Sequence, residues 1–230
     1  MPPKKIIVAI DGPAGAGKST IARRLASRLG FLYIDTGAMY RAIGLWALRT
    51  QTALDDMHRL EQLALAANIE LLEGGTRVKL NGEEITSLIR SQEMSDAASR
   101  VSAIPAVRRA LVDKQRLMGA QQSAVMEGRD IGTNVFPDAG LKVYLDASVE
   151  VRAARRLRDL AAKGEVRTVE EVAREIRERD QRDSSRADAP LRQAPDAVLI
   201  DSSAMSLDEV EEAILKLYRD RTSNGKELES

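Results

Sequence analysis

The sequence has no cysteine and few aromatic residues, and both shortages exclude classes of protein. Without cysteine, neither a disulfide framework nor a thiolate metal site can form. One Trp, four Tyr and two Phe are too few to build the stacking surfaces that single-stranded nucleic acid requires. A formal net charge of zero also argues against binding a polyanion through a broad basic surface. We therefore expect no nucleic-acid partner.

Long apolar runs are also missing. No stretch approaches the roughly 18 apolar residues of a membrane-spanning helix, and the apolar run after Lys5 is too short for a secretory signal peptide. We expect a cytoplasmic protein without membrane contact. A length of 230 residues suits one α/β domain with an inserted or appended lobe.

Arginine is strongly preferred over lysine, with 26 arginines against 9 lysines. The planar guanidinium group binds phosphate oxygens in a bidentate manner, which an ammonium group cannot do. Most of these arginines are expected on solvated helix faces. Those with a role in binding must therefore be identified from their sequence context.

Short strands alternate with amphipathic helices along most of the chain. Runs typical of buried strands lie at residues 5–10, 31–34, 124–127, 141–145 and 197–200. Helical spacing is found at residues 18–29, 38–48, 105–118, 149–160, 169–179 and 207–218, and a further helix begins near Ser91. This alternation predicts a parallel sheet with helices on both faces, and ligands that bind beyond the carboxyl ends of its strands.

Residues 54–88 break the alternation. A helix at 56–67 precedes two short strands, 69–73 and 76–80, and Asn81-Gly82 is a strong signal for a hairpin turn. We interpret this antiparallel segment as an inserted lobe.

Residues 12–19 match the phosphate-binding loop pattern G-x-x-x-x-G-K-[ST] at every fixed position, between a predicted strand and a predicted helix. Glycines let successive backbone N–H groups face inward and surround an anion at the start of the helix. Lys18 can reach the β and γ phosphates of a nucleotide, and Ser19 can bind the Mg²⁺ that bridges them. The pattern predicts the α/β fold of P-loop NTPases.

Other sequence features narrow the class of P-loop protein. An Asn-Lys-x-Asp guanine motif, typical of GTP switches, is absent. The strand that ends in Glu127-Gly-Arg-Asp130 combines acidic residues with an arginine, unlike the acidic strand ends of motor ATPases. An arginine at that position suggests a second anionic ligand.

Three polar clusters fit a phosphorylated, base-bearing acceptor. Asp35 and Thr36 follow the second strand and either bind the ligand or cap a helix, while Arg41 is placed to hold the acceptor phosphate. Asp35 is also a candidate for orienting the metal or its waters. Arg108 lies in the first turn of its helix, where a cation opposes the helix dipole, so it binds either a phosphate or a nearby acid.

The third cluster is the pair Arg129 and Asp130, which offers the donors and the acceptor that a cytosine edge needs; a structural ion pair would have the same sequence. Residues 178–186 then concentrate three arginines and two aspartates at the end of a helix. Such arginines can stabilise the transition state of phosphoryl transfer, although a charged run can equally be a solvated face.

Four blocks together resemble the cytidylate kinase family of bacteria. They are residues 11–20, residues 35–41, Glu127 to Thr133 with Val135-Phe-Pro137, and Glu178-Arg-Asp180 through Arg186-Ala-Asp-Ala-Pro190, in the family's order. The resemblance extends from about Ile6 to Leu217. It implies a single domain over 1–230, with a core at 5–50 and 98–220, an insert for the nucleoside monophosphate at about 54–97, and a lid at about 155–188.

The resemblance also implies roles for individual residues. ATP would bind Gly12, Pro13, Ala14, Gly15, Ala16, Gly17, Lys18, Ser19, Thr20, Arg155 and Arg156. CMP would bind Thr36, Arg41, Ser99, Arg108, Arg129, Asp130, Asp183 and Arg186. Lys18, Asp35, Arg179 and Arg182 would be catalytic, and Ser19 would be the metal ligand.

The predicted function is transfer of a phosphoryl group from ATP, with Mg²⁺, to CMP or dCMP by a monomer. A kinase for UMP, AMP or a metabolite alcohol is the alternative within the same class. An NTP-gated regulatory module without an acceptor is the alternative from another class, and it would hydrolyse NTP whether or not a monophosphate is present.

Overall fold

The computed structural model describes residues 5–162 and 164–224. The loop predicted at 162–166 includes Lys163, and the tail predicted to be disordered after Arg221 includes 225–230; these positions lie outside the described residues.

The elements follow the predicted order. The strands are β1 (Ile7–Asp11), β2 (Leu32–Asp35), β3 (Ile69–Leu72), β4 (Arg77–Leu80), β5 (Glu83–Glu84), β6 (Ala124–Gly128), β7 (Leu141–Asp146) and β8 (Val198–Asp201). The helices are α1 (Lys18–Leu29), α2 (Thr36–Arg49), α3 (Met57–Ala66), α4 (Gln92–Val101), α5 (Pro105–Gly119), α6 (Val149–Ala161), α7 (Val169–Ser184) and α8 (Leu207–Asn224).

The main sheet has five parallel strands in the order β2-β6-β1-β7-β8, which confirms the predicted α/β fold. Every residue of β1 and β6 is buried, as expected for central strands covered by helices on both faces. The register pairs Asp11 with Gly128. The carboxyl ends of β1, β2 and β6 therefore meet at one edge of the sheet.

The segment that follows β6 was not expected. Ile131–Val135 forms one turn of π-helix, and Arg129 and Asp130 connect it to the strand. We call residues 129–135 the acceptor turn. No sequence pattern distinguishes such a turn from an ordinary loop.

Local signals explain where the helices begin and end. Gly17 and Gly30 adopt left-handed conformations at the two ends of α1. Helix α7 begins at a capping box formed by Thr168 and Glu171 and continues to Ser184, five residues beyond the predicted Arg179. Its buried residues pack against α6 in a small separate cluster.

Strands β3, β4 and β5 form the antiparallel sheet predicted for the insert, with Asn81 and Gly82 at positive φ in the turn. The insert shares one hydrophobic cluster with the adjoining helices. Leu60 and Val78 belong to the same buried cluster as Ile43 of α2 and Leu111 of α5. The division into core, insert and lid stays a proposal.

Membrane insertion of a helix is not supported. Over residues 5–162 and 164–224, every helix is too short or too polar to cross a bilayer.

Candidate functional site

A cavity of about 1020 Å³ lies at the carboxyl ends of β1, β2 and β6. It is lined by the loop before α1, the start of α2, the acceptor turn, and residues of α6 and α7. Ligands of parallel α/β sheets bind at this edge.

The loop of residues 12–19 has the curled backbone that its glycines allow. Gly12 has a φ of +146°, and a Cβ atom there would lie 2.0 Å from the carbonyl oxygen of Leu145. Gly15 and Gly17 also have positive φ. Residues 14–19 line the cavity, whereas Gly12 and Pro13 do not.

Lys18 is the buried cation of this loop. Its side chain is 5% exposed and its Nζ donates a hydrogen bond to the carbonyl oxygen of Pro13 at 2.6 Å. Burial and the positive charges of Arg129 and Arg179 lower the pKa of Lys18 to about 7. Negative phosphate groups in the cavity would favour its charged form.

Ser19 contacts a carboxylate that the sequence analysis did not assign to the site. Its Oγ donates to Glu127 Oε2 at 2.9 Å, and the hydroxyl of Tyr33 donates to the other oxygen of Glu127. Burial and the nearby charge of Asp35 raise the pKa of Glu127. The position of Glu127 at the end of β6, beside β1, was the signal that could have identified it.

Two buried carboxylates and one hydroxyl are suitable for Mg²⁺ that also binds phosphates. Among the residues that the structure describes, no group of three or more His, Cys, Asp or Glu could hold a metal by itself. Mg²⁺ commonly takes one or two protein ligands together with phosphate oxygens and water. Ser19, with Glu127 and Asp35 beside it, fits that mode of binding.

Asp35 caps helix α2, and its role in binding a ligand or metal stays a prediction. One carboxylate oxygen caps α2 by accepting the Ala38 N–H at 2.8 Å, and the other accepts from Arg41 at 2.8 Å. Burial alone would raise the pKa of Asp35, but the guanidinium groups of Arg41 and Arg90 lower it below its usual value. The hydroxyl of Thr36 donates to the carbonyl oxygen of Glu127 at 2.7 Å.

Arg108 forms a buried ion pair with Asp130. Arg108 is 2% exposed, and its guanidinium group also lies over the ring of Tyr40, 5.8 Å from the ring centre. Asp130 accepts a second hydrogen bond from the side chain of Asn134 at 3.0 Å. Arg108 therefore binds a nearby acid, which was one of the two alternatives for it. Both members of the pair also line the cavity.

Asp183 of α7 is surrounded by three arginines. It accepts from Arg129 at 2.9 Å and from Arg186, and Arg179 lies 4.0 Å away. Burial would raise the pKa of Asp183, but Arg129 and Arg186 lower it. Burial and the charge of Arg129 lower the pKa of Arg179 to about 10. Desolvated positive charge is thus concentrated where α7 meets the acceptor turn.

Arginines of α6 border the loop of residues 12–19. Arg155 donates to the carbonyl oxygens of Ala16 at 3.3 Å and Ser202 at 2.7 Å, and Arg156 donates to Gln92 of α4 at 2.7 Å. Arg152 was not predicted; it donates to Ala14 O at 3.1 Å and pairs with Asp180 at 2.6 Å. Arg152 could have been identified because it lies one helical turn before Arg155 and Arg156, on the same face of α6.

Besides Gly12 and Pro13, two further predicted residues, Ser99 and Arg182, do not line the cavity. Ser99 is buried, and its hydroxyl has no hydrogen-bond partner among the described residues. Ser102, one helical turn later, lines the cavity and accepts from Arg186 at 2.9 Å. Arg182 is 47% exposed and its nearest carboxylate is Asp96 at 3.9 Å. All other predicted residues from Ala14 onward line the cavity.

Comparison with known proteins supports one family. The family described as cytidylate kinase matches residues 8–220. A cytidylate kinase of Solibacter usitatus (strain Ellin6076) is 58% identical over 98% of this chain and 97% of its own. A bifunctional pantoate ligase/cytidylate kinase of Synechococcus sp. (strain JA-2-3B'a(2-13)) is 52% identical over 95% of this chain, which spans 41% of that longer relative.

The fold is also similar to that of a protein whose structure has been solved. The crystal structure of a gluconokinase from Sinorhizobium meliloti 1021 superimposes with a TM-score of 0.51 over 97% of this chain and 99% of its own, at 15% sequence identity. At that identity the likeness concerns the fold alone.

Proposed function

This chain belongs to the cytidylate kinase family and is a nucleoside monophosphate kinase, and on that premise we propose that it transfers the γ-phosphoryl group of ATP to CMP or dCMP. The observation that supports this best is that one cavity joins the phosphate-binding loop to a cluster of arginines that are partly or fully shielded from solvent. A donor phosphate and an acceptor phosphate both need such groups. The products would be ADP and CDP or dCDP.

The donor half of the cavity is assigned to ATP. The backbone of residues 14–19 would surround its phosphates, Lys18 would neutralise the β and γ groups, and Arg155 and Arg156 would border them. Ser19, with Glu127 and Asp35 nearby, would hold Mg²⁺, which supplies charge neutralisation for the phosphates when bound.

The acceptor half is assigned to the monophosphate. Arg41 and Arg108 are placed to hold its phosphate, and Arg129 with Asp130 is placed to recognise a cytosine edge. Both halves of that recognition pair are already hydrogen-bonded within the protein, to Asp183 and to Arg108. The orientation of the pair is therefore fixed before a ligand binds, which reduces the entropy lost on binding.

The proposed chemistry is direct in-line displacement. An ionised oxygen of the acceptor phosphate forms a bond to the γ phosphorus, and the bond between that phosphorus and the bridging oxygen of ADP breaks. The attacking oxygen carries no proton at neutral pH, so the protein needs no strong general base. Arg179, which lines the cavity, stabilises the negative charge of the transition state. Arg182 would contribute only after α7 moves it into the cavity.

Two further proposals concern the state of the protein. One is that the protein functions as a monomer. The proposed substrates, ATP and a nucleoside monophosphate, support a cytoplasmic location.

The test is ADP release, measured by an enzyme-coupled assay, with Mg-ATP and CMP, dCMP, UMP, AMP or GMP in turn. We expect rapid release only with CMP and dCMP. Release with a different monophosphate would refute the assignment of Arg129 and Asp130 but keep the kinase. Release at the same rate without any acceptor would contradict phosphoryl transfer and favour a regulatory module.

A further inference from the structure

Asp11 is a buried carboxylate that connects the phosphate-binding loop to the acceptor turn without lining the cavity. It is the last residue of β1, directly before Gly12 of the phosphate-binding loop, and only 5% of it is exposed. An acid in this position requires partners, because an isolated buried carboxylate is strongly unfavourable.

Its partners are backbone N–H groups of the acceptor turn. Oδ1 accepts from Ile131 N at 2.8 Å and Oδ2 accepts from Gly132 N at 2.7 Å. Asp11 thus supplies, from another strand, the acceptors that the first residues of the π-helical turn lack; the side chain of the preceding Asp130 makes no capping hydrogen bond. Both bonds involve a charged acceptor, which makes them stronger than neutral ones.

The acceptor turn contains the residues assigned to the monophosphate. Arg129 and Asp130 immediately precede the two N–H groups that Asp11 binds. Asp130 in turn pairs with Arg108, and Arg129 with Asp183. The sheet register places Asp11 beside Gly128, so the distance from the phosphate-binding loop to this turn is set by adjacent strands and one carboxylate.

We propose that Asp11 is a positioning residue for acceptor binding: its two hydrogen bonds hold Arg129 and Asp130 at a fixed place relative to the phosphate-binding loop. This inference rests on the proposed function. It assigns Asp11 no contact with either nucleotide. Because its effect is transmitted through the acceptor turn, loss of Asp11 affects the acceptor more than the donor.

Asparagine is the informative replacement. Asp11→Asn keeps the shape of the side chain but replaces one oxygen with an NH₂ group, which faces a backbone N–H and cannot accept its hydrogen bond. One buried N–H of the turn then loses its partner. We expect the KM for CMP to rise about tenfold, which corresponds to about 1.4 kcal/mol, while the KM for ATP changes less than about twofold.

Asp146→Asn is the matched control. Asp146 ends the neighbouring strand β7, and its carboxylate accepts the N–H of the adjacent Ala147 at 2.8 Å instead of a group in the acceptor turn. We expect its KM for CMP to stay within about twofold of the wild type. Thermal unfolding of all three proteins measures the loss of stability separately from the change in KM.

Equal increases in the two KM values of Asp11→Asn, or an unchanged KM for CMP, would overturn the proposal. Hydrogen exchange of the wild type provides a second test that does not depend on the variant folding. The amides of Ile131 and Gly132 should exchange slowly; exchange as fast as that of exposed loop amides would refute the two hydrogen bonds. If the wild type uses another monophosphate, the proposed function fails, and the KM for that acceptor then tests Asp11.

Discussion

Replacing Lys18 with methionine is expected to stabilise the fold and abolish phosphoryl transfer. The ammonium group of Lys18 is buried, and among the described residues no carboxylate lies within ion-pair distance of it. Methionine fills a similar volume without a charge. The site therefore holds a cation that ligand binding requires and that folding alone disfavours.

The magnitude follows from the change in pKa. The pKa of Lys18 falls from 10.5 to about 7 because of burial and the charges of Arg129 and Arg179. At about 1.4 kcal/mol per pKa unit, the folded state loses roughly 4 kcal/mol at pH 7 relative to an exposed lysine. The carbonyl oxygen of Pro13 loses its donor in the variant, at a cost of about 1 to 3 kcal/mol. We expect a net stabilisation of about 2 kcal/mol.

The effect has a defined pH dependence. Between about pH 7 and pH 10.5, the unfolded wild type holds a proton on Lys18 that the folded protein has released. The stability of the wild type therefore rises with pH in this window, by up to about 1.4 kcal/mol per unit. The advantage of the methionine variant is greatest below pH 7 and declines toward pH 10.5.

The assay is urea unfolding followed by circular dichroism at pH 6, 7, 8 and 9, with CMP phosphorylation measured in parallel. Lys142→Met is the control, because Lys142 is equally buried but pairs with Asp196 at 2.8 Å. That variant should lose stability, because the carbonyl oxygen of Pro137 and the carboxylate of Asp196 both lose the donor that Lys142 supplies. A Lys18→Met protein less stable than the wild type at pH 7, or a difference that does not vary with pH, would refute this reasoning.

Two further pairs of variants test the site and the insert. Arg179→Ala should lower kcat about 1000-fold, because Arg179 lines the cavity. Arg182→Ala should lower kcat less than about threefold, because Arg182 lies outside the cavity. Comparable losses in steady-state assays would show that α7 brings both arginines to the reaction. Gly75→Ala should destabilise the protein by about 3 kcal/mol in urea, because its φ is +93° and the added Cβ would lie 1.8 Å from the carbonyl oxygen of Tyr33. Gly74→Ala, with a φ of +65° and no atom within 4 Å of the added Cβ, should cost only about 1 kcal/mol; equal losses would contradict the crowding at Gly75.

Much of the fold could be predicted because each element has a local cause. The β-branched run that ends at Asp11, the helical spacing from Lys18 to Leu29, and the Asn81-Gly82 turn are all short-range signals, and the structure confirms each of them. The end of α7 was predicted too early. The residues after Arg179 are mostly charged, so their spacing does not indicate a helix. Asp183 lies in the last turn of α7, and its carboxylate is held there by Arg129 from a distant part of the chain.

The site was predicted less completely than the fold. The loop of residues 12–19 is contiguous, so its chemistry can be recognised from spacing. Glu127, Arg152 and Ser102 contact partners that are far away in sequence, and only the tertiary fold brings them to the loop or to Arg186. The π-helical turn depends on Asp11, 120 residues earlier, for its first hydrogen bonds. Such long-range partners cannot be derived from one sequence.

The hydrophobic cluster that the insert shares with α2 and α5 continues the core of the protein into the insert. Leu60 and Val78 complete the same buried cluster as Ile43 and Leu111. Deleting the insert would expose the inner faces of two long helices, so a shortened chain would tend to aggregate. A protein engineer therefore cannot exchange the insert as a detachable module, because doing so would remove part of the core itself.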